Sequence, residues 1–163
     1  MTVKKDQASN IIQNDYTEII SWDKKYTIGI GLIDSQHMEL ISMINQLHHA
    51  CLSGGERVNE TFRDAMKKMV DYVRFHFSAE LLLLQRINYP DYLNHKKQHD
   101  SLVRDILDAA KDYGEGKKFV PHHFARTLRD WVLGHIAVYD KAYSLFVLDQ
   151  KKKGLLTDQQ ISG

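Results

Sequence analysis

The stretch Asn59–Gln85, NETFRDAMKKMVDYVRFHFSAELLLLQ, decides the fold. Its apolar residues Phe62, Met66, Met69, Val70, Val73 and Phe77 recur at helical spacing and form one stripe. Neither proline nor glycine interrupts it, so it reads as one long amphipathic helix. Two polar residues fall in or beside the stripe. His76 and Glu80 lie four apart and so share a helix face.

The same pattern recurs on both sides. Upstream, a helix over about Ile33–Leu52 carries Leu40, Ile41, Ile44 and Leu47, and Ser53-Gly54-Gly55 ends it. Downstream, Pro90 suits the first turn of a third helix, continued by Leu93, Leu102, Ile106 and Ala109 and stopped by Gly114 and Gly116. Pro121 opens a fourth helix with Phe124, Leu128, Trp131, Val132 and Ile136 on its buried side. This helix is expected to end near Leu148, ahead of Lys151-Lys152-Lys153. No strand-like alternation persists. The reading is all-α: an up-down-up-down antiparallel four-helix bundle over residues 21–148. Residues 21–32, with Trp22, Tyr26, Ile28 and Ile30, form an ordered N-terminal arm. Residues 1–20 are read as a partly disordered extension and 149–163 as a solvated tail.

Composition removes several function classes. The chain has 163 residues, with 22 basic and 21 acidic side chains. That balance gives no basic excess for nucleic acid or an anionic membrane. No apolar run reaches the roughly 20 residues of a membrane span. One cysteine, Cys51, excludes an internal disulfide framework and a cysteine-built zinc or iron–sulfur site. No secretory leader is recognised, so a cytoplasmic location is expected. The unusual count is nine histidines, roughly twice ordinary usage for this length.

Placing those histidines on the helices explains the excess. His37 lies one turn into the first helix, and His76 and Glu80 near the end of the second. His95 and His99 begin the third, while His135 and Asp140 occupy the second half of the fourth. Antiparallel packing brings all seven to one end of the bundle. Buried polar groups need partners, and metal ions can satisfy five imidazoles and two carboxylates together. This donor set suits iron, manganese or zinc, and it exceeds the four ligands that one tetrahedral zinc takes. Two ions bridged by both carboxylates and one oxygen would fill about eleven of twelve octahedral positions. The open position falls on the ion with two imidazoles. One spacing is awkward. His135 and Asp140 are five apart, about 140° round a regular helix, so a local widening of the π type is expected there. His48, His49, His122 and His123 are read as surface or far-end residues.

These positions resemble the hemerythrin family, in particular the bacterial hemerythrins. The matching motifs are Trp22…Tyr26-x-Ile28-Gly29-Ile30, Ile33-Asp34-x-Gln36-His37, His76-Phe77-x-x-Glu80 and Tyr89-Pro90…His95-x-x-x-His99. They end with Trp131-x-x-x-His135-Ile136-x-x-x-Asp140-x-x-Tyr143. The resemblance implies two iron ions per chain, joined by Glu80, Asp140 and an oxo or hydroxo group. It assigns His95, His99 and His135 to one iron, and His37 and His76 to the other, where O₂ binds reversibly. Phe77, Trp131, Val132 and Ile136 would line the O₂ pocket. The chain departs from many relatives at Leu81 and Leu84, where a second glutamate and a methionine often stand.

The leading expectation is an O₂-binding protein for storage, delivery or sensing, rather than an enzyme. The alternative is a di-iron oxidase, peroxidase or NO-handling enzyme on the same scaffold. Expected partners are O₂ and, more weakly, a second copy meeting at the leucines around Leu82, or a separate signalling protein.

Overall fold

The computed structural model describes residues 18–52, 58–117 and 120–162. It is all-α, with no strand among the described residues. The main elements are α1 (Gly31–Leu52), α2 (Val58–Arg86), α3 (Tyr92–Gly114) and α4 (Pro121–His135). A π-helical turn, Ile136–Asp140, joins α4 directly to α5 (Lys141–Lys152). A 3₁₀ turn at Lys24–Tyr26 precedes the bundle, and a short helix α6 (Asp158–Ser162) follows it. Helix α1 packs on α2 and α4, and α2 packs on α3. No helix of the described residues is long and apolar enough to cross a membrane.

The α2 stripe lies inside. Phe62, Met66, Met69, Val73 and Phe77 are buried with Leu40, Ile44, Leu47, Leu102, Ile106, Leu128 and Val132. Each large apolar side chain so buried contributes about 1.5–3 kcal/mol, the term that assembles the bundle. Leu93 lies in α3 as expected and is 78% exposed. The inward face of the first turns of α3 is occupied by His95 and His99, and Leu93 sits two residues before His95, about 200° away. Trp131 and Phe124 are half-buried. His48 is buried on α1, toward the end away from the seven-residue cluster, in keeping with its far-end reading. Burial first, then Arg126 and His122, lowers its imidazole pKa.

Both ends of the described chain carry more structure than expected. The last helix runs four residues past Leu148, to Lys152. It ends at Gly154, whose φ of 71° suits glycine. Gly154 N–H donates to the Lys151 carbonyl at 3.0 Å and Leu155 N–H to the Gln150 carbonyl at 2.9 Å, a Schellman ending. Thr157 and Gln160 then cap α6 reciprocally: Thr157 N–H donates to Gln160 Oε1 at 2.9 Å, and Gln160 N–H to Thr157 Oγ1 at 3.4 Å. Lys151 pairs with Asp158, and Ile161 packs against the core. At the other end, Asn45 accepts the N–H groups of Ile19 and Ile20 at 3.0 and 3.3 Å and donates to the Ile20 carbonyl at 2.7 Å. Ile19 and Ile20, read as part of a partly disordered extension, are therefore tied to α1. Residues 1–17 and the Ser53-Gly54-Gly55 helix stop lie outside the described residues.

Candidate metal centre

Four helical runs deliver seven polar side chains to one end of the bundle. All seven are buried: His37, His76, His95 and His99 are 1% exposed, His135 5%, and Glu80 and Asp140 not at all. Regular geometry places His76 with Glu80, and His95 with His99, because each pair is four apart. The five-residue step from His135 to Asp140 is absorbed by the π-helical turn, in which Lys141 N–H reaches back to the Ile136 carbonyl. A regular helix would have turned Asp140 away by about 140°.

The ligand atoms converge as two groups. Glu80, His95, His99 and His135 form one, with donor atoms all within 4.8 Å of one another. His37, His76 and Glu80 form the second, so Glu80 belongs to both. Its Oε2 lies 3.3 Å from His95 Nε2, 3.1 Å from His99 Nε2 and 4.0 Å from His76 Nε2. Asp140 is outside both compact groups but faces each: Oδ2 is 3.2 Å from His37 Nε2, and Oδ1 is 3.1 Å from His135 Nε2.

The donor chemistry fits metal ions. His99 and His135 bring their Nε2 atoms within 2.9 Å of each other, and His95 Nε2 is 3.4 Å from that of His135. His37 Nε2 and both oxygens of Asp140 lack an aligned hydrogen bond although they are fully buried. Orphaned acceptors of this kind are costly unless a cation occupies the space between them. Burial pushes the His76 pKa down to about 4, against the smaller opposing pull of Glu80, and burial lowers His99 as well. Both rings are therefore neutral at pH 7 and offer lone pairs. Burial opposes ionisation of Glu80, yet hydrogen bonds from His95 and His99 hold its carboxyl well below the usual range. At Asp140, burial and Glu80 both raise the pKa, but the nearby His135 and His37 rings outweigh them and lower it.

Two further residues complete the arrangement, and both stood in the sequence motifs without an assigned role. Buried Gln36 Oε1 lies 3.0 Å from His76 Nδ1, which it can hold as the N–H tautomer with Nε2 free. The Tyr143 hydroxyl donates to Glu80 Oε1 at 2.5 Å. Burial first, then the charges of Glu80 and Asp140, raises the Tyr143 pKa well above its ordinary value, so it stays a donor. Their signals were adjacency to His37 for Gln36 and a three-residue step from Asp140 for Tyr143.

The apolar candidates surround these rings. Phe77 stacks on His99 with centroids 3.6 Å apart, and Trp131 stacks on His135 at 4.5 Å. Val132 and Ile136 are buried beside them on the same helical run. Leu84 is fully buried, Leu81 is half-buried and Leu82 is exposed.

Comparison with known proteins agrees with this geometry. Residues 28–144 match the hemerythrin HHE cation-binding domain. A bacteriohemerythrin of Methylococcus capsulatus is 32% identical over 126 residues, covering 77% of this chain and 94% of that protein. A hemerythrin-like protein of Naegleria gruberi is 29% identical over 123 residues, covering 76% and 89%. The crystal structure of a wild-type hemerythrin superposes with a TM-score of 0.72 at 30% identity, covering 77% of this chain and 95% of that one. With its cluster of buried imidazoles and carboxylates at the end of a helical bundle, the chain belongs to the hemerythrin family.

Proposed function

We propose that the chain binds O₂ reversibly at a non-haem di-iron centre and serves in its storage, delivery or sensing. The observation that carries this reading is Glu80, shared between a three-histidine group and a two-histidine group. In this reading His95, His99 and His135 hold one iron, and His37 and His76 hold the other. Glu80 and Asp140 would be shared between the two ions, and the ion with two imidazoles would be left free to take O₂. Iron held by these residues would supply the redox chemistry for reversible O₂ binding, with an oxo or hydroxo group expected between the ions.

The protein's own contribution is orientation and exclusion. Gln36 fixes the tautomer of His76, and Tyr143 holds one oxygen of Glu80 so that the other faces His95 and His99. Phe77, Trp131, Val132 and Ile136 wall the site with apolar surface, which keeps water and protons from the bound gas. Two carboxylates among five imidazoles also differ from the four-carboxylate sets of ferritin-like proteins. That difference favours carriage over the oxidase, peroxidase or NO-handling alternative.

The test is anaerobic reduction of the iron-loaded protein followed by O₂ titration and deoxygenation. Two iron equivalents per chain, with a visible band that forms and vanishes reversibly, are expected. One equivalent or none overturns the di-iron reading. Irreversible oxidation with turnover of an added substrate overturns carriage in favour of the enzyme.

A further inference from the structure

Between α1 and the π-helical turn lies a crossing made by the arm. On the α1 side, the Asp34 carboxylate accepts Ile28 N–H at 2.8 Å and Gly29 N–H at 3.0 Å. On the α5 side, the hydroxyl of buried Ser144 donates to the Ile28 carbonyl, and Lys141 Nζ donates to the Thr27 carbonyl at 3.0 Å. Ile28 thus spends its N–H on α1 and its carbonyl on α5. Asp34 stands one turn before His37, and Ser144 one turn after Asp140. The bridge Asp34–Ile28–Ser144 therefore spans, one turn away, the same gap across which His37 and Asp140 face each other at 3.2 Å.

We propose that Asp34 and Ser144, acting through the Ile28 peptide, are positioning residues for the His37/Asp140 half of the metal centre. They form a latch that sets the π-helical turn against α1 and keeps Asp140 in reach of a second metal ion. This rests on the two-metal reading above. The π turn departs from the regular i→i−4 ladder, so an outside contact has more to decide about its position than in an ordinary helix. The other group, Glu80 with His95, His99 and His135, is compact without Asp140 or the arm. Cutting the latch should loosen the ion held by His37 and His76 far more than the other, which keeps three imidazoles and Glu80, as loss of outer partners does at metal sites.

The experiment loads the full chain anaerobically with Fe²⁺ and follows iron release to a ferrous chelator. The variants are Asp34→Asn, Ser144→Ala and Lys141→Ala, with Asn45→Ala as a control that cuts the arm away from the latch. Wild type should hold two ions and release them in two phases. Asp34→Asn and Ser144→Ala should speed the faster phase about tenfold and the slower one much less. Asn45→Ala should lower thermal stability while leaving both phases alone. If either buried-tie variant fails to fold, exposed Lys141→Ala carries the test with a smaller effect on the same phase. Equal acceleration of both phases, no change in either, or the same result from Asn45→Ala overturns the latch. Wild type with one ion or none overturns the two-metal reading instead. The latch then stands or falls on amide hydrogen exchange of metal-free protein: faster exchange over 136–140 in Ser144→Ala than in wild type supports it, and equal exchange overturns it.

Discussion

Tyr143 donates a hydrogen bond to Oε1 of the buried Glu80 carboxylate, whose other oxygen faces His95 and His99. Tyr143→Phe removes the one hydroxyl donor to Glu80 Oε1 among the described residues, in a fully buried site. Metal-free protein should lose about 1.5–3 kcal/mol, the range for hydrogen bonds to charged groups, as read by urea unfolding. A loss below about 0.5 kcal/mol would show the bond to be unimportant. The imidazoles set the pH response. His76 titrates at about 4 when folded against 6.5 when unfolded, so protons favour the unfolded chain between those values. His99 and His48 shift in the same direction. Stability is then full above pH 6.5 and falls as pH drops toward 4. The lowered carboxyls of Glu80 and Asp140 extend that loss below about 4.5. Urea midpoints of metal-free protein should decline from pH 7.5 to 5.0, and a flat profile would contradict the assignment. All seven members of the cluster were legible in the sequence because a histidine or carboxylate amid an apolar stripe is expensive and demands a reason. Gln36 and Tyr143 carried no such demand, since a glutamine or tyrosine at a helix face is tolerated without one.

The π-helical turn is the element whose presence followed from a single awkward spacing. It amounts to one extra residue in a helix, and exposed Val138 lies within it. Inserting one alanine after Val138 should rotate Asp140 and Tyr143 a further 100° or so, remove one metal equivalent and lower stability. Deleting Val138 leaves Asp140 four residues from His135, the step that shares a helix face, and should retain both equivalents. Metal analysis of the two proteins checks this, and equal loss in both would refute it. Helix α6 shows the opposite case. Five residues are too few to display a hydrophobic period, so the run after Leu148 read as tail. The local signals, Gly154 and the Thr157…Gln160 capping pair, were present but short. Leu93 is exposed within α3 because the inward face of that turn is taken by His95 and His99.

Taken as a whole, the molecule closes its metal-bearing end with α6. Ile161 lines a cavity of about 230 Å³ against the arm and α5, and another of about 180 Å³ with Leu32, Leu82 and Leu83. Truncation after Lys153 removes Ile161 from these cavities and uncovers buried Leu83. It should cost about 1 kcal/mol and lower Tm by about 2–4 °C in a calorimetric scan. An unchanged Tm would show α6 to be ornamental. The bundle's outline was readable from end to end because its four long runs are periodic, while its closure depends on contacts between segments far apart in sequence. That distance matters most at His37 and Asp140, 103 positions apart (140 − 37) yet with Nε2 and Oδ2 only 3.2 Å apart. An ion held between them is a reversible cross-link around a loop of that length. For a covalent link, such a loop removes about 4.7 kcal/mol of chain entropy from the unfolded state. Occupancy of the site therefore acts as a staple on the whole polypeptide, and proteolysis should become slower and all-or-none as iron fills it.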